Sequence, residues 1–158
     1  LTRITDNSSR MMEAMDDIVW SIKPSNDSIL KITARMREFA STILEPKDID
    51  YTFTIDERIM SLTINMQVRR DLFLIFKEAV NNLAKYSQAT TASIELGYQQ
   101  KKLVLAIRDN GIGFDTKAEP NGNGLINMSK RAQMVGGSLQ IESAIGKGTL
   151  VVLQMPIT

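Results

Sequence analysis

The stretch "RDNGIGFD", residues 108–115, decides how the rest of the chain is read. An apolar strand, "LVLAI" at 103–107, halts on Arg108, Asp109 and Asn110, and glycines follow at 111 and 113. Two glycines one residue apart let backbone come very close to something, either another part of the chain or a ligand. A turn that needs positive φ explains one glycine well and the full Asp-Asn-Gly-Ile-Gly string poorly.

Upstream of that stretch, residues 1–23 read as one helix. Leu1, Ile4, Ser8, Met11, Met15, Ile18 and Ile22 recur at three and four, the seam of a coiled coil or bundle, broken only by Ser8. An amphipathic helix packed on its own domain is the plainer reading. The narrow stripe and polar flanks favour pairing with other helices. Pro24 ends this helix, and "PSND" at 24–27 forms a turn. A second helix follows, with Ile29, Ile32, Met36, Phe39 and Ile43 on its buried face and Pro46 beyond its end. "YTFTI" at 51–55 alternates as a half-buried strand, and a long helix covers about 66–87.

Downstream, "TASIELGY" and "KLVLAIRD" are two strands joined by the polar hairpin "QQKK". The polar stretch "DTKAEPNGNG" at 115–124 has no periodicity. A helix from Leu125 to Val135 stops at Gly136 and Gly137, and "SLQIES" and "TLVVLQMP" are the last strands, joined by "AIGKG". The sum is an α/β (α+β) two-layer sandwich, a mixed β-sheet with helices on one face, preceded by an N-terminal bundle or coiled-coil helix.

Composition narrows the function classes. The chain has 158 residues, enough for one domain with a core and an appended element, and 43% of them are apolar. A net charge of +1 supplies no field to draw nucleic acid or an anionic membrane. There is no cysteine and no histidine, which excludes disulfides, zinc sites of the usual ligands and imidazole catalysis. Chemistry must therefore run on carboxylates, amides, lysines, arginines and backbone. The chain begins at Leu1, not methionine, and is expected to be a piece of something longer.

Common phosphate-binding templates fail. A P-loop would need glycine at Ile141, and a dinucleotide fingerprint would need it at Thr116 or Asn127. The long helix is more informative. Leu72, Phe76, Ala79 and Leu83 make its core stripe, and Glu78, Asn82 and Lys85 fall beside it in a band roughly 60° wide. An acid, an amide and a lysine there suit Mg²⁺ and phosphate; a solvated flank with an ordinary charge pattern suits them too.

Four blocks together resemble one family. "EAVNNLAKYS" at 78–87 resembles the N-box of the histidine-kinase-type ATPases, the superfamily shared with gyrase, the heat-shock chaperone and mismatch-repair ATPases. "DNGIGF" at 109–114 looks like the first glycine box, "GNGLINMSKRAQMVGG" at 122–137 like the second, and "GKGTLVVLQMP" at 146–156 like the closing strand pair. "MDDIVWSIKPSNDSI" at 15–29 is similar to the end of the dimerisation helix and the linker in bacterial sensor histidine kinases with a short lid. The resemblance implies a Bergerat-type ATP-binding fold and three parts: residues 1–23 as the last bundle helix, 24–28 as linker and 29–158 as the catalytic ATP-binding domain.

It also implies roles. Asp109 would accept from the exocyclic amine of adenine, with Gly111 and Gly113 letting backbone pass close to the nucleotide. Asn82 would coordinate Mg²⁺, Glu78 would hold a water of that ion, and Lys85 would face phosphate. Gly122, Gly124 and Leu125 would form the loop and helix start at the triphosphate. Thr149 would act near adenine through water, and Tyr86 stands where many relatives carry histidine. Arg131 either faces phosphate or is a solvated helix arginine. Residues 114–121 correspond to a short lid, expected to move without nucleotide.

The implied activity is phosphoryl transfer from Mg-ATP to a histidine upstream of Leu1, for relay to a response regulator. The expected partners are a second copy through the N-terminal helix, the upstream phosphoacceptor helix and that regulator. Neither nucleic acid nor direct membrane contact is expected. The domain would be cytoplasmic, in a parent protein anchored to a membrane. Alternatives are an ATP hydrolase with Glu78 as base, a protein-serine kinase of the same superfamily, and a degenerate module that only dimerises.

Overall fold

The computed structural model describes Met15 and residues 29–117 and 124–157. The expected helix at 1–23, the linker at 24–28 and Gly122 therefore lie outside the described residues, Met15 excepted. Helix α1 spans Ile29–Leu44 and strand β1 Asp50–Ile55, followed by α2, Met66–Tyr86. Strands β2 (Thr91–Gln99) and β3 (Lys102–Asp109) precede α3, Gly124–Met134. Strands β4 (Ser138–Ser143) and β5 (Thr149–Pro156) close the fold, and short 3-10 turns occupy Glu45–Lys47 and Glu57–Ile59.

The strands form one sheet in the order β1-β2-β3-β5-β4. Strand β1 runs parallel to β2, with α2 as the crossover, and every other pairing is antiparallel. The expected mixed sheet is therefore present. Register explains which face is covered. Phe53, Ile94, Ile107 and Val151 align across four strands, as do Ile55, Leu96, Leu105 and Leu153. Strand period is two, so these rows share one face. Helices α1 and α2 cover it with Ile32, Met36, Leu72, Ile75, Phe76 and Val80, all fully buried.

The long helix forms as expected and is capped by Asn65, whose Oδ1 accepts from the Val68 amide at 2.9 Å. Helix α1 is rotated slightly from the expected face. Ala40 and Leu44 are buried, while Phe39 and Ile43 are only partly so. Phe39 instead stands edge-on to Phe73 and Phe76, each with centroids 6.2 Å away. The β2–β3 hairpin is tighter than the quoted "QQKK". Only Gln100 and Lys101 turn, at φ 53° and 63°, the left-handed pair that matches strand twist. No Asn-Gly advertises it.

Phe76 joins three elements: it lies on α2, against Phe39 of α1 and within 6.1 Å of Phe53 on β1. Phe76→Ala should cost about 3–5 kcal/mol of stability, the usual range for emptying a buried phenylalanine site. Urea unfolding followed by circular dichroism measures it, and a loss below about 1 kcal/mol would contradict this packing.

Candidate functional site

The alternation that buries Ile107, Leu105 and Leu103 places Asp109 on the same helix-covered face, where it is 9% exposed. An acid thus ends an apolar row. Its Oδ1 accepts from the Gly111 amide at 2.8 Å, and its carboxylate also accepts from the Thr149 backbone amide. Strand register sets Thr149 directly opposite Asp109. Burial pushes the Asp109 carboxyl above the usual carboxylate range, and the two backbone donors oppose that rise.

The glycines of 108–115 are approached by the chain itself. A Cβ on Gly111 would stand 2.1 Å from the Ser87 carbonyl oxygen, and one on Gly113 2.1 Å from that of Ala144. Within the chain, the close neighbours of these glycines are the end of α2 and the β4–β5 turn. The Ile112 amide donates to the Ser87 carbonyl at 2.7 Å, and the Gly146 amide to the Ile112 carbonyl at 2.6 Å. Backbone meets backbone here, so no side chain fits between.

Polar side chains pin the same loop, and of these only Asn110 stood out in the sequence. Asn110 Oδ1 accepts from the Thr90 and Thr91 amides at 2.9 and 3.0 Å, while its Nδ2 donates to Thr90 Oγ1 at 2.8 Å. Ser87 Oγ donates to the Leu83 carbonyl at 2.6 Å and accepts from the Ala89 amide at 3.0 Å. Ser143 Oγ accepts from the Phe114 amide at 2.9 Å, donates to the Gly148 carbonyl at 3.0 Å and lies 2.9 Å from Thr149 Oγ1. Asn110 was legible as a turn-former, since Asn bonds readily to nearby backbone. The Ser143 contacts cross strands and had no local signal.

Asp109, Gly111 and Thr149 therefore form one hydrogen-bonded cluster, with Gly113 packed beside it against the β4–β5 turn. It meets α2 at Ser87, one residue beyond that helix. Glu78 and Asn82 lie half-buried on α2, with Lys85 and Tyr86 exposed near its end. Among the described residues, no hydrogen bond or ion pair engages the side chains of Glu78, Asn82 or Lys85. Gly124 starts α3 and Leu125 is its second residue. Arg131, on α3 with its side chain 42% exposed, has Nη1 3.5 Å from Oδ1 of Asp71, an acid 1% exposed on α2.

The donor set fits the groups expected of it. Glu78 and Asn82 offer oxygens not committed elsewhere among the described residues, suited to a hard cation that keeps most of its water. Two such residues make no cage, and no group of three or more His, Cys, Asp or Glu able to hold a metal exists among the described residues. A divalent ion here would need ligands from a bound phosphate.

Residues 67–158 match the family described as histidine kinase-, DNA gyrase B-, and HSP90-like ATPase. The chain belongs to this family. It is similar to the oxygen sensor histidine kinase NreB of Staphylococcus carnosus, 25% identical over 158 residues. That alignment covers 99% of this chain and 45% of NreB, so the chain spans under half of that relative. The fold resembles a blue-light activated histidine kinase of Erythrobacter litoralis, with a TM-score of 0.74, 17% identity, and coverage of 98% of this chain and 50% of that one. It also resembles the Acinetobacter baumannii histidine kinase AdeS, with a TM-score of 0.70, 14% identity, and coverage of 98% and 80%. The expected fold family is confirmed on all these grounds. No helix among the described residues is long and apolar enough to cross a membrane.

Two outcomes follow from the cluster. Gly111→Ala should unfold the chain at markedly lower urea concentration, because its Cβ meets backbone that cannot move aside, whereas Gly97→Ala, with nothing within 4 Å, should leave the midpoint nearly unchanged. The second concerns pH. Because burial raises the folded Asp109 carboxyl above its ordinary value of 3.8, unfolding releases its proton as pH rises through that window. The Asp109 contribution to stability is therefore greatest below 3.8 and declines as pH rises toward the folded value. Asp109→Asn lacks this loss. The melting temperature of the variant minus that of the parent should grow from pH 3.5 upward and then level off; a difference that shrinks would reverse the assignment.

Proposed function

We propose that this chain is the catalytic ATP-binding part of a sensor histidine kinase, transferring the γ-phosphoryl group of Mg-ATP to a histidine on another segment. Residues 1–23 then belong to the phosphoacceptor bundle, 24–28 are the linker and 29–158 the catalytic domain. The observation that carries the reading is Asp109: a carboxylate buried at a strand end, inside the family-matched region, held in place by the Gly111 and Thr149 amides.

A carboxylate fixed in this way has lone pairs left to accept a hydrogen bond. The exocyclic amine of adenine satisfies it, while the guanine carbonyl leaves two acceptors face to face, a desolvated mismatch that discriminates strongly. The Thr149 hydroxyl, oriented by Ser143 at 2.9 Å, reaches the base through water. Asn82 and, through water, Glu78 hold Mg²⁺, which offsets the charge on the phosphates. Lys85, exposed near the end of α2, faces phosphate oxygens, and Tyr86 offers a hydroxyl donor without charge. Gly122, Gly124 and Leu125 present backbone N–H groups where the α3 dipole favours anions.

These parts bind and orient; they supply no base toward histidine. Positioning and charge neutralisation carry most of such a transfer. The chain contains no histidine, so the acceptor must be supplied from elsewhere. The reading also holds that the N-terminal helix pairs two copies and that the phosphoryl group passes on to a response regulator.

Calorimetric titration tests the site directly. ATP should bind with Mg²⁺ dependence and in preference to GTP, and Asp109→Asn should erode that preference by about 1–3 kcal/mol. Asn82→Ala should weaken Mg-ATP while leaving the apo melt nearly unchanged, since alanine keeps the helix. Equal affinity for ATP and GTP in the unmodified chain would defeat the proposal. When a histidine-bearing acceptor helix is added, label from ATP should appear in an acid-labile, base-stable bond. Label on serine would favour the serine-kinase reading, and phosphate release without protein label the hydrolase reading.

A further inference from the structure

Helix α2 carries an acid that the nucleotide reading does not use. Asp71 is 1% exposed, and neither carboxylate oxygen takes a hydrogen bond among the described residues. Two guanidinium groups lie near it: Arg70 Nε at 3.7 Å from its own helix, and Arg131 Nη1 at 3.5 Å from α3. A buried carboxylate with no hydrogen bond and only partly exposed guanidinium partners is a poor way to gain stability, because apolar residues of similar volume often do better. Such pairs are better attested as devices that fix register. Here the pair joins the two helices that carry the N-box and the second glycine box.

Position along each helix gives the pair its consequence. At 100° per residue, Asp71, Glu78, Asn82 and Lys85 fall within roughly 60° of one another on α2. Asp71 precedes Glu78 by about two turns, or ~10 Å, and Arg131 follows Gly124 on α3 by the same rise. Met128 and Ala132 of α3 are buried in the apolar core, and apolar contacts, being non-directional, tolerate sliding. A charge pair does not.

We propose that Asp71 is a positioning residue of the nucleotide site. Through Arg131 it holds α3 in register against α2, and so sets the start of α3, Gly124 and Leu125, relative to the Glu78–Asn82 edge. The proposal rests on the nucleotide reading for its functional half. It assigns Arg131 to Asp71, not to phosphate.

The experiment uses the full chain and the variants Asp71→Asn and Arg131→Lys. Amide hydrogen exchange without nucleotide reads helix 124–134, with the β3 and β5 amides reporting that the fold is intact. Titrations with Mg-ATP and with adenosine read the site. In Asp71→Asn, the α3 amides should exchange at least about tenfold faster while β3 and β5 stay protected. Mg-ATP should bind about tenfold more weakly and adenosine equally well, because only the phosphate end depends on α3. Arg131→Lys keeps the charge and should stay close to the parent in all readouts. If Asp71→Asn does not fold, Arg131→Gln, on the more exposed partner, carries the same exchange expectation.

Unchanged α3 exchange overturns the proposal. Tighter Mg-ATP binding by Asp71→Asn also overturns it, since that result would make Arg131 a phosphate ligand that Asp71 restrains. Should the parent chain bind neither ATP nor adenosine, the nucleotide reading falls, and with it the functional half. Exchange would then decide on its own whether Asp71 fixes α3.

Discussion

The carbonyl of Ser87 is the point on which the rest of the site depends. It ends α2, accepts the Ile112 amide at 2.7 Å, and leaves no room for a side chain on Gly111. The loop then passes under the β4–β5 turn, where Gly113 meets the Ala144 carbonyl and Gly148 meets that of Asp109. Three segments remote in sequence are thereby locked backbone to backbone. Backbone hydrogen bonds and hard-sphere contact allow little slack, so anything projecting from this junction is held firmly.

Asp109 is what projects. The sheet gives it no choice of face, since strand alternation that buries Ile107 and Leu105 buries it too. Burial with no cationic partner among the described residues makes it costly as an anion, and the Gly111 and Thr149 amides offset only part of that cost. Such an arrangement weakens the apo fold at neutral pH. It is tolerable where the carboxylate has a binding partner to meet, and perturbed buried acids cluster at functional sites for this reason.

Helix α2 performs two tasks with separate faces. Leu72, Phe76, Ala79 and Leu83 anchor it to the sheet, while Asp71, Glu78, Asn82 and Lys85 form a polar line along its edge. The Arg131 pair brings α3 to the lower end of that line. Solved structures at 14–17% identity share the fold.

Much of this was legible in the sequence because it is local. Period-two alternation placed β1, and segments bounded by the polar turns "QQKK" and "AIGKG" placed β2 to β5; the 3.6-residue period placed α2; Gly136 and Gly137 ended α3. The grouping of Glu78, Asn82 and Lys85 on one helix edge followed from helix geometry alone. Other features waited for the tertiary structure. The neighbours of Gly111 and Gly113, the Asn110 clamp, the Ser143 contacts and the Arg131–Asp71 pair all join residues far apart in the chain. Periodicity says which way a side chain points relative to its own element. What it meets there is set by how the elements pack, and in a core filled to crystal-like density that is a property of the whole assembly.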